Sequence, residues 1–118
     1  GMQKETPEQI IEKARVMEEC LLAATLVPLQ MMEKSAELFD ILAEMAKKGS
    51  VMAISDVGVG VQFARTALLG AVMNVYINTK SMKNREKAEE LNKKAEQLVT
   101  AGTQKADEIY SEVLKQII

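Results

Sequence analysis

The stretch from Ser55 to Lys83, SDVGVGVQFARTALLGAVMNVYINTKSMK, does most to narrow what this chain can fold into. It opens on Ser55 and Asp56, either of which can accept the free N–H groups of a first helical turn. Apolar residues then point almost all round the axis, from Val57 and Val59 through Phe63, Leu68 and Val72 to Tyr76 and Ile77. A helix without a wet face is a membrane span or the buried centre of a bundle. Gln62, Arg65, Thr66, Asn74 and Asn78 interrupt the run, and each would be costly in lipid. The stretch predicts the central, buried helix of a soluble all-α bundle.

At about 100° per residue, Asp56, Gly60, Phe63, Ala67, Gly70, Asn74, Asn78 and Ser81 share one face of that helix. The middle of this strip is small enough for another backbone to approach. Its ends carry carboxylate, amide and hydroxyl groups, and a buried amide left unpaired costs about 1–3 kcal/mol. Asn74 and Asn78 therefore either tie the helix to a neighbour's backbone or face a ligand.

The flanking segments supply the rest of the bundle. Thr6-Pro7-Glu8-Gln9 reads as a capping box with proline at the first helical position. From there Ile10, Ala14, Met17, Leu21, Ala24, Pro28, Met31, Ser35, Leu38, Leu42 and Met45 recur in steps of four and three. They predict a coiled-coil-like seam ending at a Gly49 C-cap. Pro28 has no N–H for the Ala24 carbonyl and its ring crowds that group, so a kink or break is expected there. The freed carbonyl is a possible ligand contact. Gly49 to Ile54 reads as the connection, with Val51, Met52 and Ile54 closing one end of the core. After a turn at Ser81 to Asn84, Asn84 caps a last helix. Its apolar stripe is Ala88, Leu91, Ala95, Leu98, Gly102, Ala106, Ile109, Val113 and Ile117. Gly102 in mid-helix costs about 1 kcal/mol relative to Ala, which a close helix crossing explains, with the small strip of the central helix as its expected partner. Three long helices result, or four if Pro28 breaks the first. Two amphipathic neighbours cannot cover a helix that is apolar all round, so a homodimer or higher homo-oligomer is expected.

Composition removes many chemistries. There is no histidine, which excludes Ser-His-Asp and Cys-His systems and the usual zinc sites, and no metal is expected. Cys20 is the single cysteine and cannot form an internal disulfide, which points to a reducing, cytoplasmic setting. A net charge of −2 lacks the basic footprint of nucleic-acid binding, and no apolar run reaches membrane length without polar breaks. Gly58-x-Gly60 begins like a dinucleotide fingerprint, but Phe63 stands where the third glycine belongs and no strand precedes it. Glu18-Glu19 and Glu89-Glu90 read as solvated faces. What remains is a polar set near the ends of the central helix: Ser55, Asp56, Arg65, Asn74, Asn78, Lys80 and Ser81.

The pattern S-D-x-G-V, a small-residue helix, then N-V-x-I-N-x-K-S resembles the cyclodeaminase domain of formiminotransferase-cyclodeaminase, whose family includes methenyltetrahydrofolate cyclohydrolases. The residues that carry it are Ser55, Asp56, Gly58, Val59, Asn74, Val75, Ile77, Asn78, Lys80 and Ser81, with Val27-Pro28-Leu29 upstream. The likeness covers nearly the whole chain but only about the C-terminal half of the family's domain. The family's glycine-rich P-G-G-G-S entry has no counterpart here. The resemblance implies a tetrahydrofolate derivative as substrate, 5-formimino- or 5,10-methenyl-tetrahydrofolate, acted on by cyclodeamination or cyclohydrolysis. It makes Asp56 the candidate acid/base or pterin-orienting carboxylate. Ser55, Asn74 and Asn78 become candidate folate contacts, and Lys80 or Arg65 the partner of its carboxylate. Plainer roles stand beside these: Asp56 as a helix cap, Arg65 paired with a glutamate, Lys80 in solvent. The alternative for the whole chain is a non-catalytic helical module that oligomerises or binds a small molecule or partner.

Overall fold

The computed structural model describes residues 4–48 and 51–118, and of residues 51–53 the backbone only. It holds three long helices, α1 (Pro7–Lys48), α2 (Val51–Lys80) and α3 (Arg85–Ile117), and no strand among the described residues. The chain is all-α, as the sequence predicts. No helix among the described residues is long and apolar enough to cross a membrane. The expected Gly49 cap, and the Val51 and Met52 side chains expected to close the core, lie outside the described residues.

The starts of α1 and α3 are written in the sequence. Thr6 accepts from the Gln9 N–H at 3.1 Å while Gln9 accepts from the Thr6 N–H at 2.9 Å, the reciprocal capping box. Asn84 accepts from the Lys87 N–H and starts α3. Between them, the C-terminus of α2 is closed by Arg85, whose Nη1 donates to the carbonyls of Thr79 (2.7 Å) and Met82 (2.9 Å). The start of α2 differs from expectation: it begins at Val51, so Ser55 and Asp56 sit in the second turn rather than at a cap. Ile54 explains the extra turn, because it is fully buried and rewards carrying the helix back to reach the core.

Pro28 does not break α1, which runs continuously for 42 residues. The carbonyl that Pro28 leaves without a backbone donor, that of Ala24, accepts instead from Asn78 Nδ2 on α2 at 3.1 Å. Asn78 thus takes the first of its two expected roles, tying its helix to a neighbour's backbone. The pair also fixes the packing. Ala24 lies beside Asn78 and Leu42 beside Gly60, so α1 and α2 run antiparallel. Val113 beside Gly58, Gly102 beside Leu68 and Asn92 bonded to Thr79 set α2 and α3 antiparallel as well. α2 packs along both other helices, whereas α1 and α3 meet more sparsely.

The α1 seam is half right. Its column through Leu21, Pro28 and Leu42 faces the core, and Pro28 and Leu42 are buried. The other column, Ile10, Met17, Ala24, Met31, Leu38 and Met45, is exposed. The chain buries the column one residue further on, Thr25, Met32, Phe39 and Ala46. Thr25 hid that column from a hydrophobic pattern, yet it is fully buried with its hydroxyl donating to the Leu21 carbonyl at 2.7 Å.

The α3 stripe is buried as expected from Ala88 to Val113, with Leu98 half-buried and Ile117 exposed. Gly102 sits at a close approach, but not against the small strip of α2. A Cβ there would lie 2.5 Å from Leu68 Cδ2 and 3.3 Å from Phe39 Cε2, two fully buried core side chains.

Within its own chain α2 is covered only in part, as two neighbours allow. It is buried on one face only, through Ile54, Val57, Val61, Ala64, Leu68, Ala71, Val72, Val75 and Thr79. The strip of Asp56, Phe63, Ala67, Gly70, Asn74 and Ser81 faces outward, with Gly60 and Asn78 half-buried at its margin. Three helices in a slab of 70 × 28 × 17 Å can cover one side of the middle helix and no more.

Candidate functional site

α2 carries every residue of the expected site except Ser81 just beyond it, but one helix cannot gather them. Asp56 and Asn78 are 22 positions apart, about 33 Å at 1.5 Å per residue. The set therefore splits into two ends.

At the N-terminal end, Ser55 lines a groove of about 560 Å³ between α2 and α3. Gly58, Phe63 and Thr66 form one wall, and Tyr110, Val113 and Ile117 the other. Gly58 matters locally, since a Cβ there would stand 3.0 Å from Val113 Cγ1 and push the walls apart. Two aromatic rings with Gln62 and Thr66 at hand suit a flat, partly polar guest. Asp56 is exposed and points away from this cleft by about a quarter turn of the helix.

At the C-terminal end, polar groups hold the helices together. Thr79 is fully buried and its hydroxyl donates to Asn92 Oδ1 at 2.6 Å. Glu18, on α1, accepts from the backbone N–H groups of Lys83 (2.8 Å) and Asn84 (3.0 Å). Those two donors favour the ionised form and hold its carboxyl below the usual carboxylate range. Glu18 is thus more than part of a solvated face. A smaller hollow of about 290 Å³ lies beside it, with Ser81, Lys83 and Met17 in its lining. Asn74, Lys80 and Ser81 are exposed, and Asn78 gives one of its two amide N–H donors to Ala24.

Arg65 sits midway. Its guanidinium turns toward Asp107 on α3, with Nε 3.5 Å from Oδ1, so the partner is an aspartate rather than a glutamate. That Nε is sealed from solvent and makes no hydrogen bond. Among the described residues no group of three or more Cys, Asp or Glu side chains gathers as a metal site would. Sequence reasoning missed Glu18, Thr79, Arg85, Asn92 and Tyr110. Asn92 and Tyr110 flank the α3 stripe at Leu91 and Ile109, which was the available signal for them. Nothing in the sequence pairs Glu18 with a turn more than sixty residues away.

The model of one family, described as formiminotransferase-cyclodeaminase, matches residues 1–97. Methenyltetrahydrofolate cyclohydrolase of Methylorubrum extorquens is 35% identical over 117 residues, covering 99% of this chain and 56% of that protein. Formimidoyltransferase-cyclodeaminase of Mus musculus is 37% identical over 79 residues, 67% of this chain and 15% of that protein, and the Sus scrofa protein matches over the same shares. The chain spans about half the length of the first relative and a small part of the others. Matched by the family model over most of its length and aligned with a 35%-identical relative almost end to end, the chain belongs to the formiminotransferase-cyclodeaminase family.

Proposed function

We propose that this chain acts in folate one-carbon chemistry, as a cyclohydrolase or cyclodeaminase on 5,10-methenyl- or 5-formimino-tetrahydrofolate. The observation that carries the reading is the 35% identity to a methenyltetrahydrofolate cyclohydrolase across 99% of the chain. The groove lined by Ser55, Phe63 and Tyr110 supports it, being of a size and character to hold a flat pterin. In this reading Asp56 exchanges a proton at the reacting bridge: it accepts one from the attacking water in cyclohydrolysis, or supplies one to the departing ammonia in cyclodeamination. Asn74, and Asn78 through its remaining Oδ1 acceptor, contact the folate. Lys80, or Arg65 on leaving Asp107, pairs with the glutamate-tail carboxylate. The reading calls for no metal. It takes the chain as one helical domain corresponding to the C-terminal part of the cyclodeaminase domain, at work in the cytoplasm as a homodimer or higher oligomer.

One observation favours the second reading, a non-catalytic helical module: Asn78 is already satisfied by a backbone carbonyl. Calorimetric titration with 5-formyltetrahydrofolate separates the two. Saturable binding weakened at least tenfold by both Asp56→Ala and Asn74→Ala, about 1.4 kcal/mol each, supports the folate reading. A folded protein that shows no heat up to millimolar ligand refutes it.

A further inference from the structure

The groove between α2 and α3 has a composition that its size does not explain. None of its lining residues is Asp, Glu, Lys or Arg, in a chain where 27% of residues are charged. Two of the chain's few aromatic rings line it, Phe63 on one wall and Tyr110 on the other. Both stand open, Phe63 at 73% and Tyr110 at 39% exposed. Both walls lie past the first turn of their helices, so their backbone N–H groups are taken up by the helical ladders and offer an anion nothing. The surrounding charges lean the same way. Asp56 adjoins Ser55 at one end and is exposed. Arg65, beside Thr66 at the other end, turns its guanidinium to Asp107, so those two charges offset. Glu112 and Lys115 lie on the opposite side of α3, more than a third of a turn from Tyr110. A guest therefore meets two aromatic rings, whose faces carry a negative quadrupole, with the Asp56 carboxylate about a quarter turn away.

We propose that this groove is a binding site for a planar organic cation with a delocalised charge, held by the Phe63 and Tyr110 rings. Such a guest suits the apolar walls, because a spread charge is weakly hydrated and costs little to bring out of water. From the rings it gains an attraction that a neutral guest of the same shape does not. A compact anion meets neither a cation nor a free N–H and is turned away. Gly58 keeps the walls in register for this, since a Cβ there would stand 3.0 Å from Val113 Cγ1. The consequence for folate rests, in this clause alone, on the folate reading: the part that enters the groove is the methenyl bridge with its rings. That bridge is an amidinium, one positive charge shared between two nitrogens through the carbon that joins them. Addition of one water opens it to a neutral formyl compound and releases one proton, so the charge that the rings hold disappears as product forms. The groove then distinguishes substrate from product by charge rather than by shape.

The test uses simple ring compounds and needs no folate. The purified chain is titrated calorimetrically, in mildly alkaline buffer, with N-methylquinolinium and with lepidine, a neutral methylquinoline of nearly the same size. The cation should bind roughly fivefold tighter or more. Phe63→Leu and Tyr110→Leu should each shrink that preference while leaving lepidine binding within about twofold, and Tyr110→Phe, which keeps the ring, should retain it. Phe63 is exposed enough for its leucine variant to fold, which far-UV circular dichroism checks. Equal affinities for the two compounds, no saturable binding of the cation up to millimolar concentration, or a preference that survives both leucine variants overturns the proposal. Binding of 5-formyltetrahydrofolate without any preference for the cation sinks this inference and leaves the folate reading standing. The preference without folate binding does the reverse.

Discussion

Pro28 and Asn78 should be energetically coupled, and the size of the coupling can be worked out. In a regular helix the residue at 28 would donate its N–H to the Ala24 carbonyl, and proline has none to give. Asn78 Nδ2 supplies the missing donor at 3.1 Å. Asn78→Ala should cost about 1 kcal/mol, a typical net hydrogen bond, because Ala24 is exposed enough for water to replace the amide in part. Pro28→Ala removes a penalty of about 3 kcal/mol for a proline inside a helix. It also loses two buried ring carbons at about 0.8 kcal/mol each, so the variant should be more stable by about 1 kcal/mol. In that background the carbonyl already has a backbone donor, and Asn78→Ala should cost less than half as much. The expected coupling is therefore about 0.5–1 kcal/mol, measurable as a double-mutant cycle in urea, with far-UV circular dichroism as the signal. Equal costs for Asn78→Ala in both backgrounds, to within about 0.3 kcal/mol, would refute the idea that the amide stands in for the missing donor.

Three further outcomes follow from single contacts. Gly102→Ala gains about 1 kcal/mol of helix propensity, but its Cβ lands 2.5 Å from the buried Leu68 and should lose more than that to overpacking; a melting temperature lower by about 4 °C is expected, and a rise would refute the tight crossing. Glu18 has a folded-state pKa below its ordinary value of 4.5, so its contribution is present above that pH and is lost as pH falls through the folded value; the stability difference between the parent chain and Glu18→Gln should close on acidification, and a constant difference would contradict the role of the charge. Arg85→Ala takes its side-chain donor from the Met82 carbonyl and one of two donors from the Thr79 carbonyl, which keeps the Met82 N–H, and should destabilise by about 1 kcal/mol in urea unfolding, with an unchanged midpoint as the refuting result.

What the sequence makes legible here is local. The Thr6–Gln9 box, the Asn84 cap and the orphaned Ala24 carbonyl each depend on residues within a turn of one another, and backbone stereochemistry decides them. The α3 stripe was readable because its other faces are charged. α1 offers adjacent apolar columns, with Met31 next to Met32 and Leu38 next to Phe39, and periodicity cannot rank them. A polar member, Thr25, then counted against the column that is buried. α2 is apolar on opposite sides, so its composition shows that two neighbours leave a face uncovered without saying which face that is. For the candidate site, the resemblance located residues along α2, but a helix is a ruler. No reading of the residues by type could bring its two ends together.

The register of α1 on α2 has a dynamic consequence. With Ala24 beside Asn78, α2 ends opposite Leu22, so residues 7–20 of α1 run on for about 20 Å past the helix they pack against. Among the described residues none before Thr25 is buried, and the backbone contact of this arm with the turn after α2 is made by Glu18. A third of the longest helix can therefore unwind without disturbing the core, at a free energy well below that of global unfolding. Its amides should form a gradient of exchange rates that steepens toward Thr6. Because the catch is an ionised carboxylate, acid that takes Glu18 down through its lowered pKa should loosen the arm ahead of the core.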